Sequence, residues 1–311
     1  MMNATGIAGL AVGLAWCTLA ASAEENYWAK IHNLLEKANT REAAEAARKY
    51  VQSLNSDQLL IAGRQCGREL QDAIDSGQPG AGDGAIAFGF FSESYPRATN
   101  DLRDIGPILQ EIRDKTQPAI WRSELIGILL GRRWDAKLNN HQRNQVFECL
   151  EEVLNDKTDG VRGKIPLRLA HLLLGMFKDY RGALRSNTQD KQAEKELEAF
   201  AEQVGKYFEN NRKLLSDVAT PSTLREKLLA GMMVCYKESL PGSGSAKDIV
   251  IQAVTNYRDY PESLWPQLAA YAVDDLHMAN VDTILDQMIS QAVDTTIGGK
   301  IQVQKSMGRK K

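Results

Sequence analysis

The chain has 311 residues, of which 43% are hydrophobic and 25% are charged, proportions typical of a folded protein with a sizeable core. Its 38 basic and 40 acidic residues leave a formal net charge of −2, which argues against nucleic-acid binding, because such proteins carry a basic surface. The four histidines stand apart, and no cysteine or histidine spacing matches a metal site. We therefore expect no metal, no cofactor and no nucleic-acid partner.

The first 23 residues contain no Asp, Glu, Lys or Arg. An apolar stretch at 7–16 precedes Ala-Ser-Ala at 21–23, an order typical of a secretory signal peptide with a small-residue cleavage site. The sequence therefore predicts export to the periplasm or the medium, with cleavage before Glu24 and no membrane span afterwards. Two alternatives stay open: an uncleaved anchor, and a lipoprotein attached through Cys17, which the bulky Trp16 disfavours.

Helices are expected directly after the signal peptide. Apolar residues recur at helical spacing over 28–38, a second helix is predicted over 40–54, and a third over 59–74. Glycine at positions 63 and 67 makes this part align weakly with the helices that follow, so the sequence leaves open whether it shares their repeat.

An irregular segment is predicted over 76–96. Its five glycines and two prolines argue against a regular helix, whereas its centre at 85–91 is strongly apolar. We expect a long loop whose centre packs on the helices or borders a groove, and long ordered loops often carry function. Its aromatic residues are therefore candidates for partner contact: Phe88, Phe90, Phe91 and Tyr95.

Four later stretches begin in the same way. A turn leads to a pivot residue, and apolar residues follow three, four, seven and eight positions later; only Pro166 interrupts one of the four sets. The pivots lie 40, 63 and 40 residues apart, which predicts helix pairs of about 40 residues with one insertion near 180–190. The pivot residues are Arg122, Arg162, Arg225 and Trp265.

The fold class predicted from these patterns is all-α, because no alternating run is long enough for a strand. Asp159-Gly160-Val161-Arg162 and Ser222-Thr223-Leu224-Arg225 resemble the turn-apolar-Arg opening of HEAT repeats, over about 118–293. The resemblance implies stacked antiparallel helix pairs forming a curved α-solenoid that binds partners along its concave face. Because Trp265 stands where the other openings have arginine, an irregular helical array stays open.

One helical domain is expected over 24–299, followed by a solvated, basic polar tail at 300–311. Three cysteines remain after the signal peptide, and each lies in an apolar helical context. Buried free thiols are therefore favoured for Cys66, Cys149 and Cys235, with one disulfide plus a free thiol as the alternative. Trp121 and Trp265 lie at pair openings, where they either anchor a partner or, as we favour, fill the packing between pairs.

The leading functional hypothesis is an exported, non-catalytic scaffold that binds a protein or another cell-envelope partner. A second hypothesis is an extracytoplasmic enzyme on a helical scaffold, acting for example on polysaccharide through carboxylates and aromatic residues. Its candidate residues are Glu93, Tyr95, Asp274 and His277. A third is a membrane-tethered adaptor of the envelope.

The signal peptide generates the first testable prediction. In protein purified from its own cells, we expect Glu24 to be the first residue, because the signal peptidase cleaves after a small residue of an A-x-A site. N-terminal sequencing measures this. A chain that retains residues 1–23, or one that begins at a lipid-modified Cys17, would contradict it.

Overall fold

The computed structural model of the chain describes residues 26–36, 41–76, 86–91, 94, 105–130, 138–186 and 191–308. All regular structure in these ranges is helical, with no strand, which confirms the all-α fold class. The chain divides into two compact units, 1–100 and 101–311. No helix within the described ranges is both long and apolar enough to span a membrane. The predicted signal peptide lies outside these ranges.

The described residues of the first unit include three long helices, α1 (Tyr27–Glu36), α2 (Arg41–Ser53) and α3 (Ser56–Asp75), and a short helical segment at 86–91. Helix α3 begins at a capping box, in which Asn55 and Gln58 each accept a hydrogen bond of 3.0 Å from the other's backbone N–H. Helix α1 packs against both α2 and α3. Their apolar faces meet in a core whose fully buried members include Ile31, Val51, Leu59 and Cys66.

The centre of the segment predicted to be irregular is helical at 86–91. Ala87 and Phe91 are both 0% exposed and lie four positions apart, so one face of this short helix is buried. Gly89 falls on its exposed side, where the missing side chain weakens a helix without forbidding it. Burial of one apolar face has therefore overridden the local glycine signal.

The second unit contains ten α-helices within its described residues. They are α4 (Gly106–Arg113), α5 (Ala119–Leu129), α6 (Asn140–Asn155), α7 (Ile165–Ser186), α8 (Lys191–Ser216), α9 (Ser222–Lys237), α10 (Ser243–Thr255), α11 (Trp265–Ala270), α12 (Val281–Gln291) and α13 (Thr295–Gly308). A π-helical turn, Tyr271–Asp275, continues α11. Helices α7 and α8 have 22 and 26 residues, so the insertion predicted near 180–190 lengthens both helices of that pair.

Helix α7 lies at the centre of this unit, in contact with α6, α8 and α9. The close approach of α7, α8 and α9 requires Gly231, because an added Cβ there would lie 2.9 Å from the Tyr207 hydroxyl and 3.0 Å from the Pro166 carbonyl oxygen. Tyr207 is 0% exposed, and its hydroxyl donates a 3.2 Å hydrogen bond to that same carbonyl. A larger residue at 231 would therefore push the three helices apart.

The four pivot residues share one contact. Each donates a hydrogen bond to a backbone carbonyl near the end of the preceding helix, where carbonyls have no partner within their own helix. The side-chain donors and acceptors are Arg122 to Ile112 at 2.7 Å, Arg162 to Leu154 at 2.7 Å, Arg225 to Asp217 at 2.9 Å, and Trp265 to Tyr257 at 3.0 Å. An indole N–H can replace a guanidinium here because a single donor is sufficient.

A second feature recurs within the described residues at four turns whose aspartate is not buried, which we call the Asp turns; the buried Asp159 has the same two hydrogen bonds but pairs with Arg122. Each aspartate accepts a hydrogen bond from the backbone N–H two residues later, and its carbonyl accepts one from the residue three later. The aspartates are Asp114, Asp156, Asp217 and Asp294. Hydrogen bonds to the carboxylates lower the pKa of all four aspartates, and they lower the pKa of Asp156 to about 2. The donors are neighbouring lysine or threonine side chains and backbone N–H groups of the turns.

Lysines connect successive Asp turns. Lys115, next to the first aspartate, forms an ion pair with Asp156, and Lys157 forms one with Asp217 at 2.6 Å. The corresponding residue of the third turn is Val218, which is 91% exposed and cannot form an ion pair. The row of ion pairs that joins the first three turns therefore stops at that turn.

Arg122 and Asp159 form a buried ion pair, with side chains 3% and 1% exposed. The two guanidinium nitrogens lie 3.0 and 2.5 Å from the two carboxylate oxygens, and the Val161 N–H also donates to the carboxylate at 3.0 Å. This pair joins the start of α5 to the turn before α7, across 37 residues of sequence.

The C-terminal region differs from the predicted solvated tail. Helix α13 extends to Gly308 and packs against α11 and α12. Ile301 is 0% exposed, and the 7% exposed Lys305 forms an ion pair with Asp286. One apolar side chain and one satisfied lysine at helical spacing are sufficient to dock this polar sequence on the unit.

The three cysteines of the described residues are free and buried, which confirms the prediction. Burial raises the pKa of all three thiols, that of Cys149 to about 11 and that of Cys235 to about 12. They are therefore protonated packing residues at neutral pH.

Replacing one member of the buried ion pair tests its contribution. We expect Asp159→Asn to lower the free energy of unfolding by about 3 kcal/mol, because it leaves the buried Arg122 charge uncompensated. Urea unfolding measures this. The matched control is Glu152→Gln, which removes the exposed pair with Arg113 and should change stability by less than about 1 kcal/mol. Equal effects of the two substitutions would contradict the assignment.

The Asp turns predict how stability responds to acid. Because folding lowers the pKa of these carboxylates, their contribution is present above about pH 4, their ordinary range, and is lost as the pH falls through the lowered values. The urea midpoint of the second unit should therefore fall between about pH 4 and pH 2. Asp156→Asn should flatten this fall, and Asp248→Asn, at an exposed position of α10, should leave it unchanged.

Candidate functional site

Most residues predicted for partner contact lie inside the two units. Phe91 and Trp121 are 0% exposed, and Phe88 and Trp265 are 8% exposed. The Trp265 indole N–H donates to carbonyls of the preceding turn, and its ring packs edge-on against Tyr257 at 4.9 Å. Phe90 is half-buried, and Tyr95 lies outside the described residues. The four buried rings therefore fill the cores and offer little surface to a partner.

The structure describes two of the four residues predicted for an enzyme. Glu93 and Tyr95 lie outside the described ranges, whereas Asp274 and His277 belong to the second unit. His277 is exposed, with a left-handed backbone (φ 48°), and its Nδ1 lies 3.1 Å from the Val273 carbonyl oxygen. This contact satisfies a carbonyl at a helix end. The part of the chain that the structure describes holds no group of three or more His, Cys, Asp or Glu residues that could bind a metal ion.

A groove of about 420 Å³ lies between α6 and α8, and we call it the acidic groove. Its lining residues come from α6, α8 and the C-terminal half of α7. They are Asn144, Phe147, Glu148, Glu151, Tyr180, Glu196, Ala199, Phe200, Glu202, Gln203 and Lys206. Its volume lies in the range of sites that bind small molecules or peptide side chains.

Three aromatic side chains line the acidic groove. Phe147 and Phe200 are each 2% exposed and Tyr180 is 5% exposed, so the rings are held by packing. The Tyr180 and Phe200 rings lie 5.3 Å apart, and Phe177 stacks on Phe200 at 6.1 Å. Burial raises the pKa of Tyr180, so its hydroxyl stays neutral. The aromatic part of the groove is therefore rigid and uncharged.

Four glutamates and one lysine give the acidic groove a formal charge of −3. Glu148 and Glu202 are exposed, whereas Glu151 and Glu196 are half-buried. Burial raises the pKa of Glu151, an effect that a hydrogen bond with Asn210 and the nearby Lys206 partly offset. Carboxylates next to a low-dielectric aromatic wall attract cations more strongly than the same groups on an open surface.

A second cavity, of about 270 Å³, lies on the other side of α8, and we call it the arginine cavity. It is bounded by α8, α10 and the turns that follow them. Its lining residues are Arg212, Leu215, Ser216, Val218, Arg225, Ile249, Gln252, Asn256, Asp259 and Tyr260. Two guanidinium groups and one carboxylate give it the opposite charge to the acidic groove.

Neither the acidic groove nor the arginine cavity was predicted from the sequence. The glutamates of α6 and α8 have the spacing of ordinary solvated helix faces, and only the apposition of the two helices surrounds one opening with four carboxylates. The sequence nevertheless contains one indication of the arginine cavity. Asp-Lys-Thr occurs at 114–116 and 156–158, but the third turn has Asp-Val-Ala at 217–219, beside the cavity.

Comparison of the chain with protein-family models, with curated proteins and with solved structures finds no match in any of the three. The geometry and charge of the two sites therefore carry the functional argument.

Proposed function

We propose that this protein is an exported, non-catalytic helical scaffold that binds a basic segment of a partner protein in the acidic groove. The observation that carries the proposal is the convergence of four glutamates around buried aromatic rings. A lysine or arginine side chain suits this arrangement, because its charge reaches carboxylates that lie beside a low-dielectric wall of buried rings.

We further propose that α5–α6, α7–α8 and α9–α10 stack as HEAT-like repeats. The shared contact of the pivots, the recurring Asp turns and the lysine pairs between those turns support this arrangement. In such a stack α6, α8 and α10 are the second helices of successive pairs, and neighbouring second helices form grooves between them. The acidic groove borders α6 and α8, and the arginine cavity borders α8 and α10, which supports this arrangement.

Export is part of the proposal and rests on the signal-peptide pattern of residues 1–23. The partner is then a protein of the cell envelope or the medium. The formal charge of −2 for the whole chain is small, so the attraction for a basic partner comes from the local concentration of carboxylates at the groove.

A fluorescent octapeptide with two lysines near its N-terminus serves as the probe, with binding measured by fluorescence anisotropy at low salt. The double variant Glu148→Gln/Glu202→Gln removes two groove carboxylates and should weaken binding roughly tenfold, since each lost charge pair contributes up to about 1 kcal/mol. Affinity for the wild-type protein should also fall as the pH is lowered from 7 to 4, because burial raises the pKa of Glu151, so that this carboxylate loses its charge at a higher pH than an ordinary glutamate.

The matched control is Glu194→Gln/Glu198→Gln, which removes the same charge from exposed positions of α8 outside the groove. It should change affinity less than twofold. If the two double variants weaken binding equally, the attraction is a general charge effect and the groove assignment is wrong. Circular dichroism melting curves verify that all variants are folded.

A further inference from the structure

The fold positions Arg225 in the arginine cavity, where not every N–H donor of its guanidinium group has an acceptor among the described residues. Its side chain is 5% exposed; Nη1 donates to the Asp259 carbonyl at 3.1 Å and Nη2 to the Asp217 carbonyl at 2.9 Å. The Tyr260 ring lies 5.7 Å from the guanidinium carbon. A guanidinium has five N–H donors, and the buried Nε of Arg225 has no acceptor among the described residues. The group is therefore positioned by the fold but incompletely satisfied.

Arg212 contributes a second guanidinium from the last turns of α8. Its side chain is 47% exposed, and its Nη1 lies 3.9 Å from Glu209, beyond hydrogen-bond distance. Asp259 is the single carboxylate among the described lining residues; outside the lining, Glu209 pairs with Arg212 at 3.9 Å, and the Asp217 carboxylate interacts electrostatically with Arg225. The cavity therefore favours an anion, and paired N–H groups match the geometry of a carboxylate.

Val218 distinguishes the turn at this cavity from the two Asp turns before it. Those two turns carry lysine at this position, and each lysine forms an ion pair with the next turn. The fourth Asp turn has Thr295 there. Val218 therefore provides no lysine charge at the cavity and exposes 91% of an apolar side chain.

The size of the cavity limits what it can hold. At about 270 Å³ it is slightly smaller than typical sites for drug-sized ligands, so it has room for one terminal residue. The exposed Val218, with the nearly buried Leu215 and Ile249 beneath the lining, makes one wall of the cavity apolar beside the two arginines. A peptide that ends here would place its last side chain against the apolar residues and its carboxylate against the guanidinium groups.

From these observations we infer that the arginine cavity binds the free C-terminal carboxylate of the partner segment whose basic residues lie in the acidic groove. The inference rests on the proposed function and specifies which end of the partner is bound.

The spacing of the two sites fits one short peptide. Glu202 and Arg212 are ten residues apart on α8, or about 15 Å along its axis. An extended peptide advances about 3.3 Å per residue, and it must also pass across α8, which is about 10 Å wide, so roughly six to eight residues cover the path. Gly205 lies between the two positions, is exposed, and has no atom within 4 Å of an added Cβ. A peptide can therefore cross α8 close to its backbone.

Two octapeptides test the inference against the wild-type protein. Both have two lysines near the N-terminus and leucine as the last residue; one ends in a free carboxylate and the other in a carboxamide. The peptide with the free carboxylate should bind roughly tenfold more tightly, because hydrogen bonds between charged groups are stronger than those between neutral groups. Arg212→Gln should reduce this difference below twofold. Lys213→Gln, the matched control at the next exposed position, should preserve it.

The possible outcomes separate this inference from the proposed function. Equal binding of the two peptides to the wild-type protein overturns the inference but leaves the proposed function intact. A tenfold difference that survives Arg212→Gln also overturns it. A third octapeptide ends in glutamate with a carboxamide, and if it binds as tightly as the free carboxylate, the recognised group is a side chain and not a C-terminus. Failure of every peptide to bind the wild-type protein overturns the proposed function together with this inference.

Discussion

The architecture of the second unit depends on how the carbonyls at its helix ends are satisfied. A helix leaves its last carbonyls without internal partners, and a buried unsatisfied carbonyl destabilises the fold. Here residues near the start of later helices supply donors: Arg122, Arg162, Arg225 and Trp265 each reach back to the region where the preceding helix ends. The Asp217 and Tyr257 carbonyls accept a backbone N–H of their own turn as well. Because a long side chain spans that gap only at one separation, the contact sets the position of each helix relative to the previous one.

The same constraint explains where recognition can occur. At the first pair opening, Asp159 neutralises Arg122 inside the core, so that guanidinium has no further role. At the third, Arg225 is held by backbone carbonyls, which bear no full charge, and it lines a cavity beside the exposed Val218. The arginine of a pair opening is therefore neutralised by a buried carboxylate at the first opening, whereas at the third it is held by neutral carbonyls. Arg225, at the third opening, lies near the acidic groove, which carries the opposite charge.

Helical periodicity predicted the all-α class, the pair openings and the buried cysteines, because burial of one helix face imposes a 3.6-residue pattern on the sequence. Periodicity predicted secondary structure less well where tertiary contacts override local composition. The helix at 86–91 forms in a glycine-rich segment because Phe91 is buried, and α13 docks a polar sequence through Ile301 and Lys305. The candidate site was missed because glutamates on separate helices have no spacing in sequence that reveals their convergence.

The sequence by itself determined the type of most elements, the pair openings and the identity of the pivots, since these follow from interactions between residues close in the chain; the helix at 86–91 and α13 are the exceptions. The tertiary structure alone decided what the pivots do, and which charges face one another. Four glutamates of α6 and α8 become one acidic groove, and two arginines of α8 and α9 one anion-binding cavity, only when helix packing brings them together. The physical reason is that electrostatic attraction depends on distance in space, which a one-dimensional pattern does not contain.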